Sequence, residues 1–257
     1  MSKFIFHEAN LCSYYKNLID FNQLQRNEIK DNSTVASVNM NLILCTTCYL
    51  EGILEDRCKL LLGYYNSIHN CIDLQEFKIR KVSNLIHSEI ANFFHTKISQ
   101  TTGLDNFDNF FKIFLHKSFK QAEEFKPLLE GINTLFQLRN VIAHGRQVYA
   151  YEVDAYYTNG IEEHFSGGYK KAEEYLIKKG YLTEKFIESE NIEIFFSNEI
   201  ADHFLVLANK FIIILDDFIQ ENLIIPNSLK EKLKKYNETH KSNISIYEFC
   251  RMNGINT

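Results

Sequence analysis

The chain has 257 residues, a formal net charge of -5, two prolines and ten glycines. With 45% hydrophobic and 14% aromatic residues it cannot be a disordered chain, and its length gives one large domain, or a domain with an insertion, around a sizeable core. The acidic balance excludes general attraction to a polyanion, so any nucleic-acid contact has to come from a local patch.

Residues 11 to 30 mix Leu, Tyr, Ile and Phe with charges in a helical rhythm, and Asp31-Asn32-Ser33 supplies a break and an N-cap. The next stretch, 34 to 66, repeats Leu42, Thr46, Tyr49, Leu50, Ile53, Leu60 and Tyr64 at helical spacings and predicts a long core helix. Asp73 and Glu76 resemble a capping box for a helix over 74 to 98, with Phe77, Leu85, Ile86, Ile90 and Phe93 facing inward. Gly103 and Asp105 reset the chain before an aromatic run from Phe107 to Phe119. Pro127 suits the first turn of the following helix, and Gly145 its end.

Between Gln147 and Ile194 the pattern changes. QVYAYEV alternates as a strand does, GYKKAEEYLIKK predicts a short helix, and IEIFF again has strand character, which together predict an insertion with a small sheet. Ser197 then caps a helix to about Gln220 whose inner face reads Ile200, Phe204, Leu207, Phe211, Ile214 and Phe218. Two short helical stretches, one of them LKEKLKKY, follow Pro226. The expected organisation is an N-terminal helical extension (1-33), a helical bundle (34-146 and 197-221), an insertion (147-196) and a C-terminal helical tail (222-257).

Six cysteines lie in apolar helical stretches, and Cys45 and Cys48 form a C-x2-C with no second pair or nearby His to complete a zinc set. Buried thiols are expected, and no metal site or cofactor is assigned. The N-terminal MSKFIFHEAN lacks an apolar signal core and no greasy run is long enough for a bilayer, so a cytoplasmic protein without membrane contact is expected.

One short run points at chemistry. Residues 139 to 145, Arg-Asn-Val-Ile-Ala-His-Gly, place a permanent cation, an amide and an imidazole within two turns of one helix. Asn140 and His144, four apart, face one way, and the stripe extends back through Gln137 and Asn133 beside an apolar stripe of Gly131, Leu135, Leu138 and Ile142. Spacing alone is a weak signal: six Arg and nine His give roughly 0.6 chance matches to R-x(4 to 6)-H. Arg80 and His87 indeed form a second match. An ordinary solvated face, with His144 near a helix C-terminus, is the alternative.

RNVIAHG resembles the signature of the HEPN superfamily of all-helical ribonucleases and nucleotide-associated proteins, an Arg followed by a polar residue and then, after a short spacing, His. The helix with CYLEGILED is similar to the first core helix of such domains. The resemblance spans about residues 34 to 220 without the insertion, and it implies a mainly α fold, an HEPN-like helical bundle with a small α/β insertion. It also implies a homodimer in which two copies of the motif face each other, and a metal-independent endoribonuclease with Arg139, Asn140 and His144 as catalytic residues. RNA would be the substrate, and a toxin or antiviral defence role, with an antitoxin or defence-system partner protein, is expected from the family. A non-catalytic dimerisation or nucleotide-binding module is the other reading.

Arg146 and Gln137 are the substrate-binding candidates, although an Arg just past a helix end is often structural. Glu51 would support the site from the core or lie on the helix surface. Asp202 and His203 sit on the last long helix and would either return to the motif or remain at the surface, whereas His95, His116 and His164 have no partner at metal-ligand spacing. Tyr149, Tyr151, Tyr156, Tyr157 and Tyr169 with Lys170 and Lys171 would stack on bases or cover a small core.

Overall fold

The structure, a computed structural model, describes residues 11–71, 77–143, 167–183, 192–223, 227–242 and 244, with the backbone alone for residues 11, 66–71, 77–86, 167–169, 192 and 227–230. The described residues form helices α1 (Leu11–Arg26), α2 (Asn32–Cys71), α3 (Phe77–Ser99), α4 (Leu104–Leu115), α5 (Lys126–Ala143), α6 (Gly167–Lys178), α7 (Asn198–Asn222) and α8 (Asn227–His240), with 3-10 turns at Phe119–Gln121 and Ile192–Phe196. The fold is mainly helical, as composition and periodicity predict. Among these residues no helix is long and apolar enough to cross a membrane.

Two compact units divide the chain, one of Met1–Gly52 with Glu123–Ile214 and one of Ile53–Ala122 with Leu215–Thr257. In the first, Asp31 caps α2: its carboxylate accepts the Thr34 N–H at 2.8 Å and the Thr34 hydroxyl at 2.6 Å, the N-cap its sequence position predicts. Helix α1 runs antiparallel along α2, since Arg26 meets Asn39, Asn22 meets Asn41, and Cys12 packs on Gly52. The approach is close at Gly52: a Cβ there would lie 2.5 Å from the Cys12 sulfur, which would have to shift.

A buried polar network ties this unit together. The Arg26 side chain, 8% exposed, gives a two-pronged bond to Asp202 of α7 at 2.8 and 2.9 Å and a third bond, at 3.3 Å, to Asn39 of α2. Asn39 in turn donates to the Phe196 carbonyl at 2.8 Å and to Asn198 at 2.9 Å. Around it Ile19, Leu42, Ile43, Leu50, Ile132, Leu135, Leu138, Ile200 and Phe204 are fully buried, and the Phe125 and Phe211 rings meet edge to face at 5.1 Å.

The segment IEIFF, expected as a strand, is the 3-10 turn Ile192–Phe196. A strand would send Phe195 and Phe196 to opposite faces. Both are buried here, and the Phe196 carbonyl is taken by the Asn39 side chain instead of a ladder partner. No strand occurs among the described residues. The alternating run QVYAYEV lies outside them, whereas GYKKAEEYLIKK forms α6 as expected. Ser197 caps α7 through the Ile200 N–H at 3.3 Å.

In the second unit α4 buries Leu104, Phe107, Asp108, Phe111, Phe114 and Leu115, one face of a 3.6-residue repeat. Asp108 is buried yet satisfied: it accepts from the Ser118 hydroxyl at 2.8 Å and from the Lys120 N–H at 3.2 Å, and pairs with Lys112 at 2.9 Å. Arg57 bridges Asp216 at 2.6 and 3.0 Å and Asp56 at 2.7 Å. Of the inward face expected for α3, the side chains of Phe77, Leu85 and Ile86 lie outside those described, and the other two residues do not point inward. Ile90 and Phe93 are 48% and 57% exposed, while Phe94 packs on Phe110 and Phe114 and Ile98 is buried. Neighbouring apolar stripes on α3 compete for the core, and the aromatic face of α4 selects the one holding Phe94. On α7, Leu215 is fully buried where Ile214 was expected to point inward.

Removing the Asp202 carboxylate strands a buried guanidinium. Asp202→Ala is expected to cost about 3 kcal/mol, the low end for a broken buried pair because Asp202 is itself partly exposed. Urea denaturation would measure this, and adding Arg26→Met to the same chain should recover part of the loss.

Candidate functional site

Helix α5 carries the first half of the motif. Pro127 sits in its first turn and the helix is described as far as Ala143, one residue short of His144. Gly131, Ile132, Thr134, Leu135, Phe136, Leu138 and Val141 are buried, and Asn133 and Asn140 are exposed, so the apolar and polar stripes read from the sequence separate as expected. Gln137 lies at their boundary, half-buried, with its Oε1 buried and lacking a hydrogen-bond partner. His144 and Arg146, two of the five site residues expected from sequence, lie outside the described residues.

Arg139 is fixed from α2. One of its terminal nitrogens lies 2.5 Å from the Glu51 carboxylate, and the two side chains retain 20% and 18% of their exposure. The guanidinium carbon lies 5.8 Å from the centre of the Phe136 ring, a cation–π contact one turn back on the same helix, and its Nε is buried without a hydrogen-bond partner. Glu51 is neither an exposed surface residue nor fully buried: its half-buried carboxylate pairs with the motif arginine. Its neighbours Leu50 and Leu54 on α2 are both fully buried.

A thiol completes this corner. The Tyr15 hydroxyl of α1 donates to Cys48 of α2. Burial, chiefly, pushes the Cys48 thiol up, Glu51 adds to the rise, and Arg139 and the Tyr15 hydrogen bond oppose it. Burial likewise raises Cys45, and Cys58 most of all. These thiols are protonated at neutral pH and serve as packing, so the C-x2-C of Cys45 and Cys48 offers no ready nucleophile. Among the described residues no group of three or more His, Cys, Asp or Glu is placed to hold a metal ion.

A second polar cluster was not legible as such. His203 of α7 has both ring nitrogens engaged, Nε2 with the Tyr175 hydroxyl at 2.8 Å and Nδ1 with the Tyr181 hydroxyl at 2.9 Å. The Tyr181 ring lies 4.5 Å from the imidazole. Tyr175 enters through a gap in α5: at Gly131 any Cβ would collide with its hydroxyl and with Leu207. Burial first, then the nearby Glu130, pushes the Tyr175 phenol up to about 12. Burial lowers the His203 pKa, and Lys179 and Lys210 lower it further. A neutral imidazole has one donor and one acceptor, which suits two hydroxyls placed on opposite sides of the ring. His203 therefore fastens α6 to α7, and Asp202 beside it pairs with Arg26.

The remaining candidates stay apart. His95 and His116 are exposed, and His116 ends α4 in the left-handed conformation at φ 55. Lys170 and Lys171 are exposed on α6, while His164 and the tyrosines from 149 to 157 lie outside the described residues, as does the side chain of Tyr169. The described geometry thus joins Arg139, Glu51, Phe136, Cys48 and Tyr15, with Asn140 open to solvent beside them. Comparison with known proteins gives no match: no family model, no curated protein and no solved structure is similar to this chain.

The His203 cluster makes α6 docking pH-dependent. Because the folded pKa lies below the ordinary value of about 6.5, the unfolded chain binds the proton more readily. The stability contributed by this packing is full above that value and is lost as pH falls from it through the folded pKa. The melting temperature of the wild type is expected to drop more than that of His203→Gln over this window, with faster amide exchange in α6. Equal drops would remove the latch.

Proposed function

We propose that the chain is a metal-independent endoribonuclease of HEPN type, working in the cytoplasm as a homodimer. The observation that supports this is the end of α5, where Glu51 aims Arg139 and Asn140 stands exposed one turn before His144. A guanidinium carries five N–H donors, so a carboxylate partner leaves others for a phosphate oxygen. The cation–π contact with Phe136 at 5.8 Å adds a second contact to the guanidinium from the same helix.

In the proposed reaction His144 takes the proton from a ribose 2'-hydroxyl, whose oxygen forms a bond to the adjacent phosphorus. The bond from phosphorus to the 5'-oxygen breaks, and that oxygen leaves with a proton supplied by a second imidazole or water. Arg139 offsets the charge that builds on the phosphorane oxygens, and Asn140 orients the phosphate or the imidazole. The products are a 2',3'-cyclic phosphate and a 5'-hydroxyl. Gln137 and Arg146 would contact the strand. A toxin or antiviral effector, held in check by an antitoxin or another defence-system protein, is the role this activity fits.

A second reading is favoured by one observation. Glu51 already neutralises Arg139, which lowers its attraction for an incoming phosphate relative to an unpaired guanidinium. On that reading the chain is a dimerisation or nucleotide-binding module.

Purified protein incubated with total RNA in EDTA separates the two. The nuclease reading expects cyclic-phosphate ends and at least about a hundredfold loss for His144→Ala and for Arg139→Ala. It also expects Glu51→Gln to lower kcat, since the arginine loses its aim. Intact RNA, combined with tighter nucleotide binding by Glu51→Gln, would support the module instead.

A further inference from the structure

Helix α5 meets solvent along one narrow strip. Over residues 131–143 most side chains are buried, and only Asn133, Asn140 and Ala143 are exposed, with Gln137, Arg139 and Ile142 half-buried. At 100° per residue Asn133, Gln137 and Asn140 fall within an arc of about 60°, so three amides stand in line and end next to Arg139. Charge on this face begins only a turn before Asn133, and it is already paired: Glu130 with Lys178 at 2.8 Å, and Lys126 with Glu123. None of the three amides is hydrogen-bonded to another described residue, and the Gln137 Oε1 is buried as well. A buried acceptor without a donor is a penalty that the side chain escapes by turning outward to one.

We propose that Asn133 and Gln137 read the bases of an unpaired RNA strand, adenine before the others, while Asn140 and Arg139 hold its phosphate. The proposal rests on the nuclease reading above and adds the substrate class. A carboxamide presents an acceptor and N–H donors side by side, so it forms two hydrogen bonds with any base edge that offers the converse pair. Unpaired adenine offers that pair on both of its edges, N6–H with N1 and N6–H with N7. Uracil and cytosine offer it on one edge only, and the guanine edge of N7 and O6 has acceptors alone.

Spacing sets the state of the strand. Asn133 and Gln137 are four residues apart, a rise of about 6 Å, whereas successive nucleotides of a duplex strand rise by only about 3.4 Å. The two amides can each hold one of two successive bases only where those bases are unstacked, which a single strand allows and a duplex does not. The strip also spares the backbone a repulsion, since its nearest carboxylate, Glu130, is neutralised by Lys178.

The test uses two single-stranded RNAs in EDTA, one rich in adenine and one in which uracil replaces every adenine. For the wild type kcat/KM is expected to favour the adenine RNA at least about tenfold, the discrimination of one good amide–base pair, and a duplex of the same sequence should resist cleavage. Asn133→Ala and Gln137→Met should each bring the ratio down toward one. Asn133 is exposed and Ala favours a helix, so the first variant keeps the test independent of folding. A wild type without preference, a preference untouched by both variants, an equal loss on both RNAs, or a duplex cut as fast as the single strand overturns the strip and leaves the nuclease reading in place. If neither RNA is cut the nuclease reading fails, and fluorescence anisotropy with the same two RNAs decides the strip by itself. Tighter binding of the adenine RNA, weakened by Asn133→Ala, supports it, and equal binding overturns it.

Discussion

The buried guanidinium of Arg26 is the constraint on which the first unit depends. With 8% of its side chain exposed it needs partners, and it finds them on two other helices, Asp202 of α7 and Asn39 of α2. Asn39 then carries the network to the backbone before α7. Apolar contacts around it are interchangeable in direction, but a bidentate guanidinium is not. The network therefore sets the register of α1 on α2 and the place where α7 begins, and so the frame from which α2 presents Glu51.

The same physics shapes the candidate site. Arg26, Arg57 and Arg139 each meet a carboxylate, on Asp202, Asp216 and Glu51. For the first two the pair is structural. For Arg139 it does two things at once: it fixes the guanidinium at the end of α5 and reduces the charge offered to a phosphate. On the proposed reading, the balance of these two effects would separate catalysis from simple binding of a phosphate. Position and charge cannot both be maximal with a carboxylate at 2.5 Å.

Legibility varied with the range of the interactions. The caps by Asp31 and Ser197 depend on residues three apart, and both appear where the sequence places them. On α5 the helical period alone gives the buried Gly131, Leu135 and Leu138 and the exposed Asn133 and Asn140, whereas Gln137 is half-buried. The face of α3 was not legible in this way, because Phe93 and Phe94 are equally apolar and the choice belongs to Phe110 and Phe114 of α4. IEIFF has strand composition, yet its carbonyl partner is a side chain 157 positions away. The His203 cluster joins residues separated by 28 and 22 positions and depends on the space left at Gly131.

Sequence by itself determined that the chain is helical, where α2, α5 and α7 start, and that residues 139 to 145 combine the groups that metal-free phosphate chemistry uses. These are local properties: helical period, capping and side-chain type act within a few residues. Tertiary structure alone decided that Arg26, Arg57 and Arg139 meet Asp202, Asp216 and Glu51, that His203 is a neutral latch between two phenols, and that α1 leaves Tyr14, Leu18, Phe21 and Leu24 exposed. Those outcomes come from desolvation and pairing between distant segments, and no spacing along the chain encodes them.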